Sequence, residues 1–129
     1  MISYYLDTNA ILRFLLSDNL AQAKEVRDIF HQAKKGFVSV YIPFLAFFES
    51  VFMLYNLYKF TRKEISAKLT NLINLLFLEI EKRELLLKAL DLYPKLNVSF
   101  VDLTFLIEAH STGKRLFTFD RKLKKLKAL

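Results

Sequence analysis

Cysteine is absent from this chain of 129 residues, and glycine and proline occur only twice each. The shortage of glycine excludes whole classes of nucleotide site. A dinucleotide fingerprint needs three glycines in six residues, and a Walker A loop needs two glycines ahead of a lysine. Gly36 and Gly113 can write neither. The Gly-x-Ser-x-Gly nucleophile elbow is missing as well. Without cysteine there is no disulfide scaffold, which fits a reducing, cytoplasmic setting. Structural zinc sites lean on cysteine, and His31 and His110 alone cannot replace it. Residues Met1 to Asp7 carry no basic n-region, and Asp7 and Arg13 interrupt any apolar run, so no signal peptide is expected.

What is present is apolar bulk and basic charge. The chain is 53% hydrophobic, with 13 Phe and 6 Tyr, enough to fill a real core. Its length fits one domain, read here as residues 1–129. The formal net charge is +7 and it is unevenly spread. Residues 1–112 are almost balanced. Residues 113–129 hold Lys114, Arg115, Arg121, Lys122, Lys124, Lys125 and Lys127 against Asp120. Such a segment suits a phosphate backbone or an acidic protein partner, and a solvated helix end would look the same.

Residues 37–58 form the longest apolar stretch, with Glu49 its single charge. The length would span a bilayer, but a carboxylate at mid-span is costly. Gly36, Pro43 and the β-branched alternation of Phe37–Ile42 favour a buried strand followed by a core helix.

Periodicity divides the chain into β-α-α-β-α-α-β-α-α-β-α. Ile2–Leu6 reads as a buried strand and Phe37–Ile42 as a second; Phe77–Ile80 and Arg115–Phe119 are the remaining candidates. Helices are expected over Thr8–Leu16, from Leu20 to Gly36, from Pro43 to about Tyr58, from the Thr61-Arg62-Lys63-Glu64 capping box, over Glu84–Tyr93, over Phe100–Thr112 and over Arg121–Ala128. Alternating strands and helices predict an α/β fold, an α/β/α sandwich around a central, mainly parallel sheet of four to five strands.

Ligand sites in such sheets gather at the carboxyl ends of strands. Asp7 and Asp120 each follow a predicted strand directly. Glu49 sits on a helix that is apolar all round and is therefore expected to be buried. Asp102 lies among apolar residues in the first turn of its helix, where the dipole favours a carboxylate. Taken singly, Asp7 and Asp120 serve equally as helix N-caps, and Asp102 as a dipole partner. Four acids in apolar settings are also what a hard cation needs, since Mg²⁺ takes oxygen ligands. His31 and His110 read as surface or structural residues.

The segment Leu6-Asp7-Thr8-Asn9-Ala10-Ile11-Leu12-Arg13-Phe14-Leu15 resembles the opening of a PIN domain, and Leu116-Phe117-Thr118-Phe119-Asp120-Arg121-Lys122-Leu123 resembles that family's end. Glu49 in a strand-Pro-helix unit and Asp102 in a Phe-x-Asp stretch match its two inner acids. Within that family the chain resembles the VapC-like toxins of bacterial and archaeal toxin–antitoxin pairs. The resemblance implies a ribonuclease dependent on Mg²⁺ or Mn²⁺, with Asp7, Glu49, Asp102 and Asp120 as the catalytic and metal-binding acids. It implies Asn9 and Thr118 as their hydrogen-bonding support, an RNA substrate, a homodimer and a cognate antitoxin. Arg13, Arg121, Lys122, Lys124 and Lys125 are the expected contacts to RNA or antitoxin. Leu103 departs from the small residue usual after the third acid.

Two rivals remain. A haloacid-dehalogenase-like phosphatase also starts with Asp at a strand end, but its Asp-x-Asp opening is broken here by Asn9. A non-catalytic PIN-like module binding RNA or protein would lack one or more acids, and none is missing.

Overall fold

The computed structural model describes residues 1–126. The elements are β1 (Ile2–Tyr5), α1 (Thr8–Leu16), α2 (Leu20–Lys34), β2 (Val38–Ile42), α3 (Phe44–Asn56), α4 (Arg62–Ile73), β3 (Glu79–Ile80), α5 (Arg83–Leu92), α6 (Phe100–Ser111) and α7 (Arg121–Lys125). The three strands form one parallel sheet in the order β1-β2-β3. Ile2 pairs with Val38 and Tyr5 with Tyr41, and Ile42 pairs with Ile80. Each parallel step is bridged by two helices, as a crossover connection requires. Mixed α/β architecture with a parallel sheet is thus what the alternation predicted.

Local chemistry sets most boundaries. Asp7 caps α1 by accepting the Ala10 N–H at 3.0 Å. Asn19 caps α2 through Gln22 N, and Ser99 caps α6 through Asp102 N. The capping box at Thr61 and Glu64 is complete, each side chain taking the other's backbone N–H. Past α2 and α6, Gly36 and Gly113 adopt φ of +83° and +69°, the left-handed turn that lets the chain leave a helix.

β2 is the central strand, with Val38, Val40 and Ile42 buried. Around it the core gathers Leu12 and Phe47 with Leu54, Leu69, Leu86 and Leu103, all fully enclosed. The apolar stretch of residues 37–58 is therefore spent on β2 and α3. No helix among the described residues is long and apolar enough to cross a membrane.

Two expectations need correction, and one reaches past the described residues. The sheet has three strands among the described residues, and Arg115–Phe119 is not one of them. That segment alternates as a strand would, but it makes no backbone hydrogen bond among the described residues. A strand exists only when it is paired. As a result β1 is an edge strand, and Ile2, Ser3 and Tyr5 are exposed rather than buried. Finally, α7 is described to Lys125, and the expected continuation through Lys127 to Ala128 lies outside the described residues.

Candidate functional site

Asp7 stands where β1 gives way to α1, exposed, with Oδ1 holding the helix cap. The next residue, Thr8, is buried, and its hydroxyl donates to Glu49 Oε1 at 3.2 Å. This bond ties the start of α1 to the middle of α3. The sequence pattern singled out Glu49 but gave Thr8 no role. Only the return of the chain after 41 residues joins them.

Glu49 is exposed, which corrects the expectation of a buried acid. α3 is apolar on every side, yet it is not covered on every side. Ala46, Phe47, Ser50, Val51 and Leu54 face the core, while Leu45, Phe52 and Tyr55 face outward with Glu49. Because its carboxylate reaches water, Glu49 has no need of a buried cation.

Asp102 and Asp120 share a setting. Both line a cavity of 590 Å³, together with Phe52 and Tyr55 of α3 and with Arg121 and Lys122. Asp102 is half-buried in the first turn of α6, and its carboxylate accepts no hydrogen bond among the described residues. Asp120 caps α7 by accepting the Leu123 N–H at 3.0 Å through Oδ1. Its own N–H donates to the Thr118 hydroxyl at 3.1 Å. This turn, and not the end of a strand, is what presents Asp120 at the cavity. Asn9 is exposed beside Asp7.

Arg62 forms the floor behind this cavity, a role for which no sequence pattern offered a signal. Its guanidinium donates to the carbonyls of Tyr93 at 2.7 Å, Leu96 at 2.9 Å and Val98 at 2.5 Å. It also lies 3.7 Å from the centre of the Tyr93 ring. The loop from Tyr93 to Val98 is thereby fixed just ahead of α6 and Asp102. Burial pushes the Tyr93 hydroxyl above its ordinary pKa, so it is a neutral partner for that cation.

The cations differ in freedom. Arg13 is held by Asp18, 3.4 Å from its Nε, and by the Tyr58 hydroxyl, 3.2 Å from a terminal nitrogen. Arg121, Lys122, Lys124 and Lys125 are exposed and form no ion pair among the described residues. His31 and His110 are exposed, as expected of surface residues.

Asp7 lies next to the Thr8–Glu49 bond, and Asp102 and Asp120 share a cavity. No group of three or more acidic or imidazole side chains among the described residues is assembled to hold a metal ion. The donor chemistry nonetheless fits a hard cation. Every candidate ligand is a carboxylate, and Asp7, Glu49 and Asp120 each commit one oxygen to a structural bond and leave the other. Mg²⁺ commonly uses one or two carboxylates and completes its shell with water and phosphate oxygens.

Comparison with known proteins covers nearly the whole chain. The family model for the PIN domain matches residues 4–129. The chain is similar to the VapC ribonuclease of Aquifex aeolicus (strain VF5), at 25% identity over 122 residues, covering 94% of this chain and 90% of that protein. No solved structure matches it.

Proposed function

The chain belongs to the PIN domain family, and we propose that it is an endoribonuclease dependent on Mg²⁺ or Mn²⁺, the toxin of a toxin–antitoxin pair. The observation that carries this reading is the pair Asp102 and Asp120 at one cavity, bordered by the cations Arg121 and Lys122. Acids that hold a metal and cations that hold a phosphate are the two halves of a phosphodiester site. The likeness to a VapC ribonuclease supports the same reading.

Asp7, Glu49, Asp102 and Asp120 would hold the ion. When bound, the ion supplies an activated water and stabilises the leaving oxygen, several kcal/mol of help in all. The rest falls to the chain itself. Thr8 orients the Glu49 carboxylate, and Thr118 orients the backbone of Asp120. Asp102 is the acid with neither oxygen engaged among the described residues, so both would be open to the ion. Arg121 and Lys122 draw the phosphate to the cavity mouth, as fixed cations do for developing charge.

Partners follow from what is left exposed. Leu45, Phe52 and Tyr55 on α3 and Val101 and Phe105 on α6 are exposed apolar side chains available to a second copy of the chain. Phe47, on the same helix as Phe52, is fully enclosed in the core. A cognate antitoxin would silence the cytoplasmic enzyme, and Arg13 stands near enough to Asp7 in sequence to meet it. The alternative, a non-catalytic PIN-like module, binds RNA without dependence on a metal.

RNA cleavage with and without Mg²⁺ or Mn²⁺ separates them, comparing the wild type with Asp7→Asn. Metal-dependent cutting by the wild type and none by the variant is the expected result. Undiminished cleavage by the variant would sink the assignment.

A further inference from the structure

Phe117 and Phe119 are 86% and 83% exposed, among the most exposed large apolar side chains of the protein. They belong to the extended, unpaired segment that leads into Asp120. In extended chain alternate residues share a face. Leu116 and Thr118 are half-buried on the inner face, Leu116 against the core and Thr118 on the Asp120 N–H. Arg115, Phe117 and Phe119 take the outer face. The segment is anchored from within and carries its two rings outward. Their centroids are 5.5 Å apart and their planes stand at 87°. Lys124 Nζ lies 5.7 Å from the Phe119 ring, and Lys114, Arg115, Arg121, Lys122 and Lys125, close by in sequence, are exposed.

We propose that Phe117 and Phe119 are a base-stacking platform for single-stranded RNA. The inference deepens the ribonuclease reading and rests on it. Aromatic faces amid cations are the two components by which single strands are held: bases stack on rings, and phosphates meet lysine and arginine. Rings at right angles hold two bases splayed apart, a geometry open to a single strand and closed to a duplex, whose bases are already stacked. One extended residue spans about 3.3 Å, so a base on Phe119 sets its phosphate close to Asp120 and the cavity. Charge selects this occupant over a second copy of the chain, because two such basic segments repel each other.

The chain contains no Trp, so Phe119→Trp introduces a lone reporter. Titration with a short, dye-labelled oligoadenylate in EDTA should quench its emission. Phe117→Ala and Phe119→Ala should each weaken binding about 5- to 150-fold. The salt dependence, set by the cations, should stay as it is. Phe→Tyr at either position should restore affinity, while Phe→Leu, apolar but without a π face, should not. Leucine variants that bind as the wild type does, an unquenched reporter at saturating RNA, or a changed oligomeric state in sedimentation would each overturn the platform. The two readings fail separately. Oligoadenylate that quenches the reporter while no RNA is ever cut with Mg²⁺ removes the ribonuclease and leaves the platform. A wild type that cuts RNA but does not bind the oligoadenylate does the reverse.

Discussion

The Thr8 hydroxyl donates to Glu49 Oε1 at 3.2 Å, joining two helices through residues 41 positions apart. Thr8 is buried, so this bond is sheltered at one end and wet at the other. It fixes one of the four proposed acids in place. Thr8→Val keeps the shape and removes the donor. We expect about 1 kcal/mol of lost stability, the net worth of an ordinary hydrogen bond. Cleavage should fall about 10- to 100-fold, as when a supporting partner of a metal ligand is removed. Thr8→Ser should recover both. Thermal melts and Mg²⁺-dependent RNA cleavage read the two effects.

Asp120 has two tasks that substitution can separate. Its Oδ1 caps α7 at Leu123 N, and its side chain lines the cavity. Asparagine caps a helix about as well as aspartate, whereas alanine costs about 1 kcal/mol. Asp120→Asn should therefore melt near the wild type and Asp120→Ala lower. Both should lose RNA cleavage about 100-fold or more, on the scale of several kcal/mol of transition-state stabilisation. Wild-type turnover by Asp120→Asn would remove Asp120 from the catalytic set.

Phe47 and Phe52 share a helix but not an environment. Phe47 is 0% exposed and Phe52 is 64% exposed. Phe47→Ala should cost about 3–5 kcal/mol through the cavity it leaves. Phe52→Ala should change the stability of a monomer by less than about 0.5 kcal/mol. If α3 meets a second copy, Phe52→Ala should instead shift sedimentation toward the monomer. Denaturant melts and sedimentation velocity separate these outcomes.

The capping box gives a pH dependence whose sign follows from its bonds. The Thr61 backbone N–H donates to Glu64 Oε1 at 2.9 Å, and this holds the Glu64 carboxyl below its ordinary value near 4.5. A carboxyl lowered by folding adds stability above that ordinary value and loses it as pH falls through the lowered one. The melting temperature should therefore fall on acidification below about pH 5, and Glu64→Gln should flatten that part of the profile. An identical acid slope in the two proteins would show that the contribution lies elsewhere.

Much of this molecule is legible in one dimension. The caps at Asp7, Asn19, Thr61 and Ser99 are local, each joining a side chain to a backbone N–H three residues on. Such bonds can be read from neighbouring letters, and the helix starts follow from them. The same holds for the parallel α/β alternation and the concentration of positive charge around Asp120. The four acids stand out because each interrupts an apolar setting.

Coverage was not legible. Hydropathy counts apolar faces but does not say which of them meets a neighbour. Thus α3, apolar all round, hides Phe47 and leaves Phe52 and Glu49 in water. The segment Arg115–Phe119 has a strand's alternation but no paired neighbour, so its rings face outward. Arg62, with three carbonyls and a tyrosine ring around it, has no sequence signature at all. By itself the sequence determined the local elements, the four candidate acids and the sign of the charge beside the last of them. The tertiary structure alone decided which acids share a cavity, which aromatics stay exposed and what holds Glu49. Contacts between distant residues are properties of the packed chain, and no local pattern encodes them.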